Sequence, residues 1–207
     1  MSDRDAFAAD YNVPRGTMAS FDRYAELLVD WQQRMNLVGP STVGDIWQRH
    51  FADSAQLAAL APEGGRWLDI GSGAGFPGVV VALLGEREVL LVESVAKKCR
   101  FLAAVIEEFS LGLRVGVANC RVEALPGFTA GTITARACAP LDQLFDWGLR
   151  FADRSTRWLL PKGARVDDEI AAARHGFDFD ADLIPSRTEP TARIVVAANV
   201  RRKAHRR

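Results

Sequence analysis

The chain has 207 residues, 48% of them hydrophobic and 25% charged, and its 26 Lys and Arg balance 26 Asp and Glu. That suits one folded domain with room for an appendage and a large core, since a chain of this size buries roughly 70% of its unfolded surface. No apolar run approaches the ~20 residues of a membrane span, and the acidic start MSDRDAFAADYN lacks the apolar stretch of a secretory leader.

Residues 1–16 read as a short helix and a turn containing Pro14. Residues 17–36 form a long amphipathic helix, with Phe21, Tyr24, Leu27, Leu28 and Trp31 on one face. Gly39-Pro40 stops it, a short helix covers 43–47, and 50–60 is a further helix. After a loop at 61–65 the pattern alternates. Strands are expected at 66–70, 88–93, 113–118, 132–137, 157–160, 177–184 and 193–199. Helices are expected at 77–84, 95–109 (capped by Ser94), 141–151 and 167–174, with a short turn at 121–125. Strands separated by helices give an α/β fold, a doubly wound, mostly parallel seven-stranded sheet. The last two strands have only a turn around Pro190 between them and should pair antiparallel. The expected division is a helical appendage over 1–65, a core over 66–200 and a basic tail, RRKAHRR, over 201–207.

The stretch WLDIGSGAGFPG at 67–78 is the most informative. A short apolar run, glycines at Gly71, Gly73 and Gly75, then Pro77 and another apolar run read as strand, tight turn and helix. Such a loop opening a βαβ unit suits a nucleotide-like ligand. The string holds both GxGxG and GxGxxG, so the pattern alone does not choose between S-adenosylmethionine and a dinucleotide. Asp69 favours the former, because a carboxylate facing the loop suits a cationic ligand and repels a pyrophosphate. A glycine-rich turn with no ligand is the alternative.

Other residues fall at strand ends. Glu93 ends the second strand, where an acid accepts ribose hydroxyls. Backbone amides of Val122 and Glu123 lie where adenine would sit, although a simple capping turn explains them equally. Arg136 is unexpected among alanines in a buried strand. It points either into the crevice or to an acid such as Glu123 or Asp142. Lys162 follows the fifth strand. Arg49, His50 and Asp53 stand together in the appendage, His50 and Asp53 on one helix face. Six basic residues and no acid follow Glu189, which hints at a polyanionic partner; a solvated terminus is the alternative. Three cysteines, Cys99, Cys120 and Cys138, form no CxxC pair. Buried thiols in a reducing cytoplasm are expected, without disulfides or metal.

Five motifs occur in order: NLVG at 36–39, RHFADS at 49–54, LDIGSGAGFPG at 68–78, ARACAPL at 135–141 and LLPKG at 159–163. With them the chain resembles the ribosomal RNA small-subunit methyltransferase G family, also called glucose-inhibited division protein B. The resemblance implies a cytoplasmic enzyme with the Rossmann-like methyltransferase fold, which uses S-adenosylmethionine to methylate N7 of one guanine in 16S ribosomal RNA, free or in the small subunit. It implies cofactor contacts at Gly71, Phe76, Val122, Glu123 and Arg136, joining Asp69, Gly73, Gly75 and Glu93. Arg136 and Lys162 are the candidates for orienting the reaction. Arg49, His50, Lys162, Arg201, Arg202 and Lys203 are the candidates for touching RNA. Pro161 departs from the family pattern. A monomer is expected. A methyltransferase of a small molecule or protein is the alternative activity. A non-catalytic RNA-binding module and an NAD oxidoreductase rank behind it.

Overall fold

The computed structural model describes residues 1–204. Its seven strands are β1 (Trp67–Ile70), β2 (Val89–Val92), β3 (Val115–Ala118), β4 (Thr132–Ala135), β5 (Arg157–Lys162), β6 (Phe177–Pro185) and β7 (Arg193–Arg202). They form one sheet in the order β3-β2-β1-β4-β5-β7-β6. All neighbouring pairs are parallel except those of β7, which is antiparallel to both β5 and β6. The order reverses at β1, and a doubly wound sheet binds ligands where the order reverses, outside the carboxyl ends of its strands.

Helices cover both faces. On one lie α1 (Asp3–Asp10), α2 (Arg15–Gln32), α3 (Asp53–Ala55), α4 (Gly78–Leu84) and α5 (Ala96–Glu108); on the other lie α6 (Leu141–Gly148) and α7 (Val166–Gly176). The expected appendage is part of the first core. Phe7, Phe21, Tyr24 and Phe51 join one buried cluster with Val79–Ala82 of α4 and Phe101 and Leu102 of α5. Aromatic contacts tie it together: Phe7–Phe21 at 4.9 Å, Phe21–Phe51 at 5.1 Å and Tyr24–Phe76 at 5.6 Å between ring centres.

Several boundaries differ from expectation for local reasons. The helix begins at Arg15, with Pro14 as its N-cap, and ends at Gln32. The helix expected over 50–60 starts earlier and is irregular: a π-helical turn, Trp47–Ala52, runs into α3. Ser94 does not cap α5; Val95 is the N-cap residue, and its N–H is taken by Oε1 of Glu93 at 2.8 Å. β5 extends through Pro161 to Lys162 because β7 pairs with it that far. Pro161 is tolerated there because β4 pairs with β5 only as far as Leu159, so the missing N–H leaves no bond of that ladder open.

The basic segment is also different. β7 continues through Arg201 and Arg202, which pair with Asp178 and Phe177 of β6. Since Arg193 is opposite Lys162 at the carboxyl edge, Arg202 lies nine residues away, roughly 30 Å, at the other edge of the sheet. Arg201 and Lys203 both pair with Asp178, and Arg202 with Asp146. Arg201, Arg202 and Lys203 therefore stand far from the crevice expected to take RNA. The rest of the expected tail, His205, Arg206 and Arg207, lies outside the described residues. Of the cysteines only Cys99 is buried, while Cys120 is half-buried and Cys138 exposed. No helix among the described residues is long and apolar enough to cross a membrane.

Candidate functional site

As the chain leaves β1, the N–H groups of Gly71 and Ser72 both donate to the Val92 carbonyl, at 2.9 and 3.0 Å. The chain then turns through Gly71, Gly73 and Gly75, with φ of 69°, 57° and 89°, values at which any side chain is strained. A Cβ on Gly71 would collide with Sγ of Cys138, and one on Gly75 would lie 2.5 Å from the Tyr24 hydroxyl. A Cβ on Gly73 would meet nothing nearer than the Gly71 carbonyl at 3.8 Å. Gly73 leaves its space open to a crevice of about 800 Å³. Tyr24, reaching across from α2, donates to the Ala74 carbonyl at 2.5 Å and fixes the loop from beneath.

Asp69 does not face the crevice. It is fully buried. Its Oδ1 accepts the Thr134 hydroxyl at 2.9 Å and its Oδ2 accepts the Gly78 N–H at 3.2 Å. Burial pushes its carboxyl up to about 6, against those hydrogen bonds. The expected approach to a cationic ligand is thus replaced by a brace between the loop, β4 and the start of α4. Glu93 is close to the loop as expected. Its Oε2 accepts the Gly73 N–H at 3.0 Å, and Oε1 accepts that of Val95. A carboxylate has about four lone-pair positions, so two hydrogen bonds leave room for ribose hydroxyls.

Arg136 follows the last residue of β4 and is the hub of the opposite wall. Its NH1 donates to the Arg49 carbonyl at 2.9 Å and to Oδ2 of Asp53 at 3.2 Å; its NH2 donates to Nδ1 of His50 at 2.9 Å. The guanidinium also lies 4.9 Å over the Phe76 ring. Its acid is Asp53, 83 residues away in the chain, and neither Glu123 nor Asp142. His50 is stacked on the same Phe76 ring, 4.9 Å between ring centres with an interplanar angle of 17°. Because Nδ1 accepts from Arg136, Nε2 carries the proton and donates to the Thr42 hydroxyl at 2.9 Å, which donates on to the Gly39 carbonyl at 2.8 Å. Burial, then the charges of Arg136 and Arg49, hold the imidazole at about 3. Both ring nitrogens are engaged, so His50 is not a free base.

A pH test of that arrangement is available. Between pH 3 and 6.5 the unfolded ring is protonated and the folded ring is not. Stability from this site is therefore full above pH 6.5 and lost as pH falls toward 3. Asp69 acts oppositely, its contribution being full below 3.8 and lost as pH rises through about 6. Comparing wild type with His50→Gln cancels the Asp69 effect. The wild-type advantage in urea unfolding should shrink by about 2 kcal/mol from pH 7.5 to pH 5. A difference independent of pH would contradict a neutral, buried His50.

The other expected residues are placed as follows. Val122 and Glu123 open a short 3-10 turn, Val122–Ala124, where the first N–H groups have no intrahelical partner; neither residue lines the crevice. Lys162 lines it, but its ammonium is held by the Ala139 carbonyl and Oε2 of Glu169, both at 2.7 Å. It braces the ARACAP loop against α7 rather than reaching outward. Arg49 is half-exposed and pairs with Glu189 at 2.9 Å. Sequence reasoning missed Thr42 and the tip of the β6–β7 hairpin, where Thr188 donates to Oδ1 of Asp53 at 2.8 Å. It also missed Lys98 and Arg165 on the crevice rim, and it counted Arg193, which lies there too, only among the basic residues after Glu189. The β6–β7 contacts join residues up to 140 positions apart, and no local pattern signals them. The rim cations carried one weak signal, their position just past a strand end or at a strand or helix start.

Known proteins with similar structures include a putative S-adenosylmethionine-dependent methyltransferase from Methanococcus maripaludis, with a TM-score of 0.60 and 10% identity, covering 79% of this chain and 93% of that one. P. horikoshii TYW2 in complex with MeSAdo has a TM-score of 0.58 and 15% identity, covering 79% of this chain and 64% of that one. These likenesses speak to the fold. Sequence relatives are much nearer. Proteins named ribosomal RNA small subunit methyltransferase G from Rhizorhabdus wittichii and Rhodospirillum rubrum are 44% and 42% identical. The first match covers 97% of this chain and 94% of the relative; the second covers 96% and 98%. A family model described as rRNA small subunit methyltransferase G matches residues 17–189, from α2 to the hairpin tip that closes on Arg49 and Asp53, and the chain belongs to that family.

Proposed function

We propose that this enzyme methylates N7 of one guanine in 16S ribosomal RNA, with S-adenosylmethionine held over the glycine loop. The observation that carries the reading is the crevice itself: a floor without Cβ atoms at Gly71 and Gly73, a cationic rim, and an imidazole with no free nitrogen. The residues fit the cofactor. Gly73 and Phe76 would form its floor within the crevice, while beyond the crevice Glu93 would accept ribose hydroxyls and the N–H groups of Val122 and Glu123, which have no intrahelical partner, would meet the adenine. When bound, S-adenosylmethionine supplies an electrophilic methyl group on a sulfonium sulfur.

The chain's own work is orientation. Guanine N7 has a lone pair at neutral pH and loses no proton on methylation, so an active site without a free base is adequate. An arginine bidentate to O6 and N7 would block the acceptor. Arg136 is kept from that pose by Asp53, His50 and the Arg49 carbonyl, and its fixed charge forms the wall of the crevice. Arg49, Lys98, Arg165 and Arg193 line the crevice and would draw phosphates to its mouth. The target base must leave its stack to reach N7 alignment. The reading includes a monomer acting in the cytoplasm.

Incubating the protein with S-adenosylmethionine and either naked 16S rRNA or small ribosomal subunits should yield N7-methylguanosine in at least one of them. Methyl transfer to neither, or to another atom, would overturn the proposal.

A further inference from the structure

Of the five motifs, NLVG at 36–39 has no part in the cofactor floor, yet Leu37, Val38 and Gly39 all line the crevice. The loop follows α2 and is tied back to the last residue of that helix, Gln32. Oε1 of Gln32 accepts the N–H groups of Leu37 at 2.8 Å and Val38 at 3.1 Å, and its Nε2 donates to the Val38 carbonyl at 2.9 Å. Both acceptor positions of the amide oxygen are filled, so the side chain is committed to this loop. Leu37 is buried and already anchors the segment to the first core. Three bonds from one side chain therefore fix where the loop stands rather than whether it folds. The next residue carries the constraint onward. The Gly39 carbonyl accepts the Thr42 hydroxyl, Thr42 accepts from His50, and His50 accepts from Arg136. The loop and the Arg136 wall are one hydrogen-bonded unit.

Four hydrocarbon side chains larger than proline line the crevice. Leu37, Phe76 and Ile194 are buried, whereas Val38 is half-buried. Val38 packs on the first core and lines a crevice rimmed by cations. A phosphate or a ribose hydroxyl has no use for such a surface. A purine does, because its edges are polar and its faces are not. We infer that the 37–39 loop is the wall on which the target base lies, with Val38 against one face of the purine, and that Gln32 is the positioning residue that sets the wall in place; this rests on the guanine-N7 reading above. A contact to the face leaves every edge atom of the base free, N7 included.

The test uses the full-length enzyme on whichever RNA substrate the wild type methylates. Rates are expressed per S-adenosylmethionine-binding site, so that unfolded molecules drop out. Val38→Ala leaves the Gln32 bonds in place, since all of them are to backbone. It should lower kcat/KM for the RNA about fourfold, roughly the worth of one CH2 group of apolar contact, with S-adenosylmethionine affinity at the wild-type value. Gln32→Ala should lower it about tenfold by letting the wall move, again with cofactor affinity unchanged. The double variant should stay close to Gln32→Ala alone, because a wall already out of place no longer presents Val38. Independent effects would multiply to about fortyfold. A merely structural Gln32 would lower the thermal midpoint and leave kcat/KM per binding site unchanged. That result, wild-type kcat/KM in Val38→Ala, a multiplied loss in the double variant, or a loss of cofactor affinity in place of RNA kcat/KM would overturn the assignment. Absence of N7-methylguanosine from the wild-type reaction would overturn both it and the reading beneath it.

Discussion

Gly73→Ala should lower S-adenosylmethionine affinity about a hundredfold, about 2.7 kcal/mol, while unfolding stability falls by only about 1 kcal/mol. The asymmetry follows from where the added Cβ would go. At φ of 57° alanine is strained, but its Cβ would meet no protein atom nearer than 3.8 Å, so folding loses little. The same methyl group projects into the crevice that Gly73 lines, where a ligand must lie against the backbone. The Gly73 N–H keeps its bond to Glu93. Gly75→Ala is the contrast: its Cβ would lie 2.5 Å from the Tyr24 hydroxyl and 2.6 Å from Cγ2 of Val79, both on the buried side, so the fold itself should suffer. Isothermal titration and urea unfolding of the two variants separate the effects. Wild-type affinity in Gly73→Ala would mean that the loop is not the cofactor floor.

Asp53→Ala should be the most destabilising change among the polar residues of the site, by about 3 kcal/mol. At roughly 2–4 °C per kcal/mol for a chain of this size, that is a fall of about 10 °C in Tm. Asp53 accepts from three partners on three different parts of the chain: Arg136 after β4, Thr188 in the hairpin and Gln56 after α3. Removing it leaves the Arg136 guanidinium, only 17% exposed, with a lost counter-charge beside a neutral His50. The figure is below that for a fully buried pair because both side chains keep some solvent contact. Asp53→Asn retains acceptors and should fall about midway. A calorimetric shift below about 2 °C for the alanine variant would mean that this network does not tie the hairpin to the rest.

Much of the fold was legible. The face of Phe21, Tyr24, Leu28 and Trp31 identified α2, and alternating strands and helices identified the sheet. The lone turn around Pro190 identified the antiparallel β6–β7 pair. These features are written at spacings of a few residues, where periodicity and turn chemistry operate. The glycine loop was legible for the same reason. What failed was direction and partnership. Asp69 read as a ligand group because it ends a strand before the glycines, yet its pairing register on β4 sets Thr134 beside it and turns it under the loop. Lys162 read as a free cation, but Glu169 four residues into α7 captures it. Arg201 and Arg202 read as a tail because their charge is conspicuous, while Asp178 and Phe177 on β6 extend the sheet through them. Glu189 was unmarked, because only the closed hairpin brings it to Arg49.

The central claim is that this family member places one methyl group on N7 of one guanine of 16S rRNA through the crevice over Gly73. Its most direct test is mass spectrometry of 16S rRNA from cells lacking the gene, complemented with wild type or with Gly73→Ala at equal protein levels. One N7-methylguanosine should disappear in the deletion, return with wild type and stay absent or strongly reduced with Gly73→Ala. An N7-methylguanosine content that is unchanged by the deletion, or fully restored by Gly73→Ala, would contradict it.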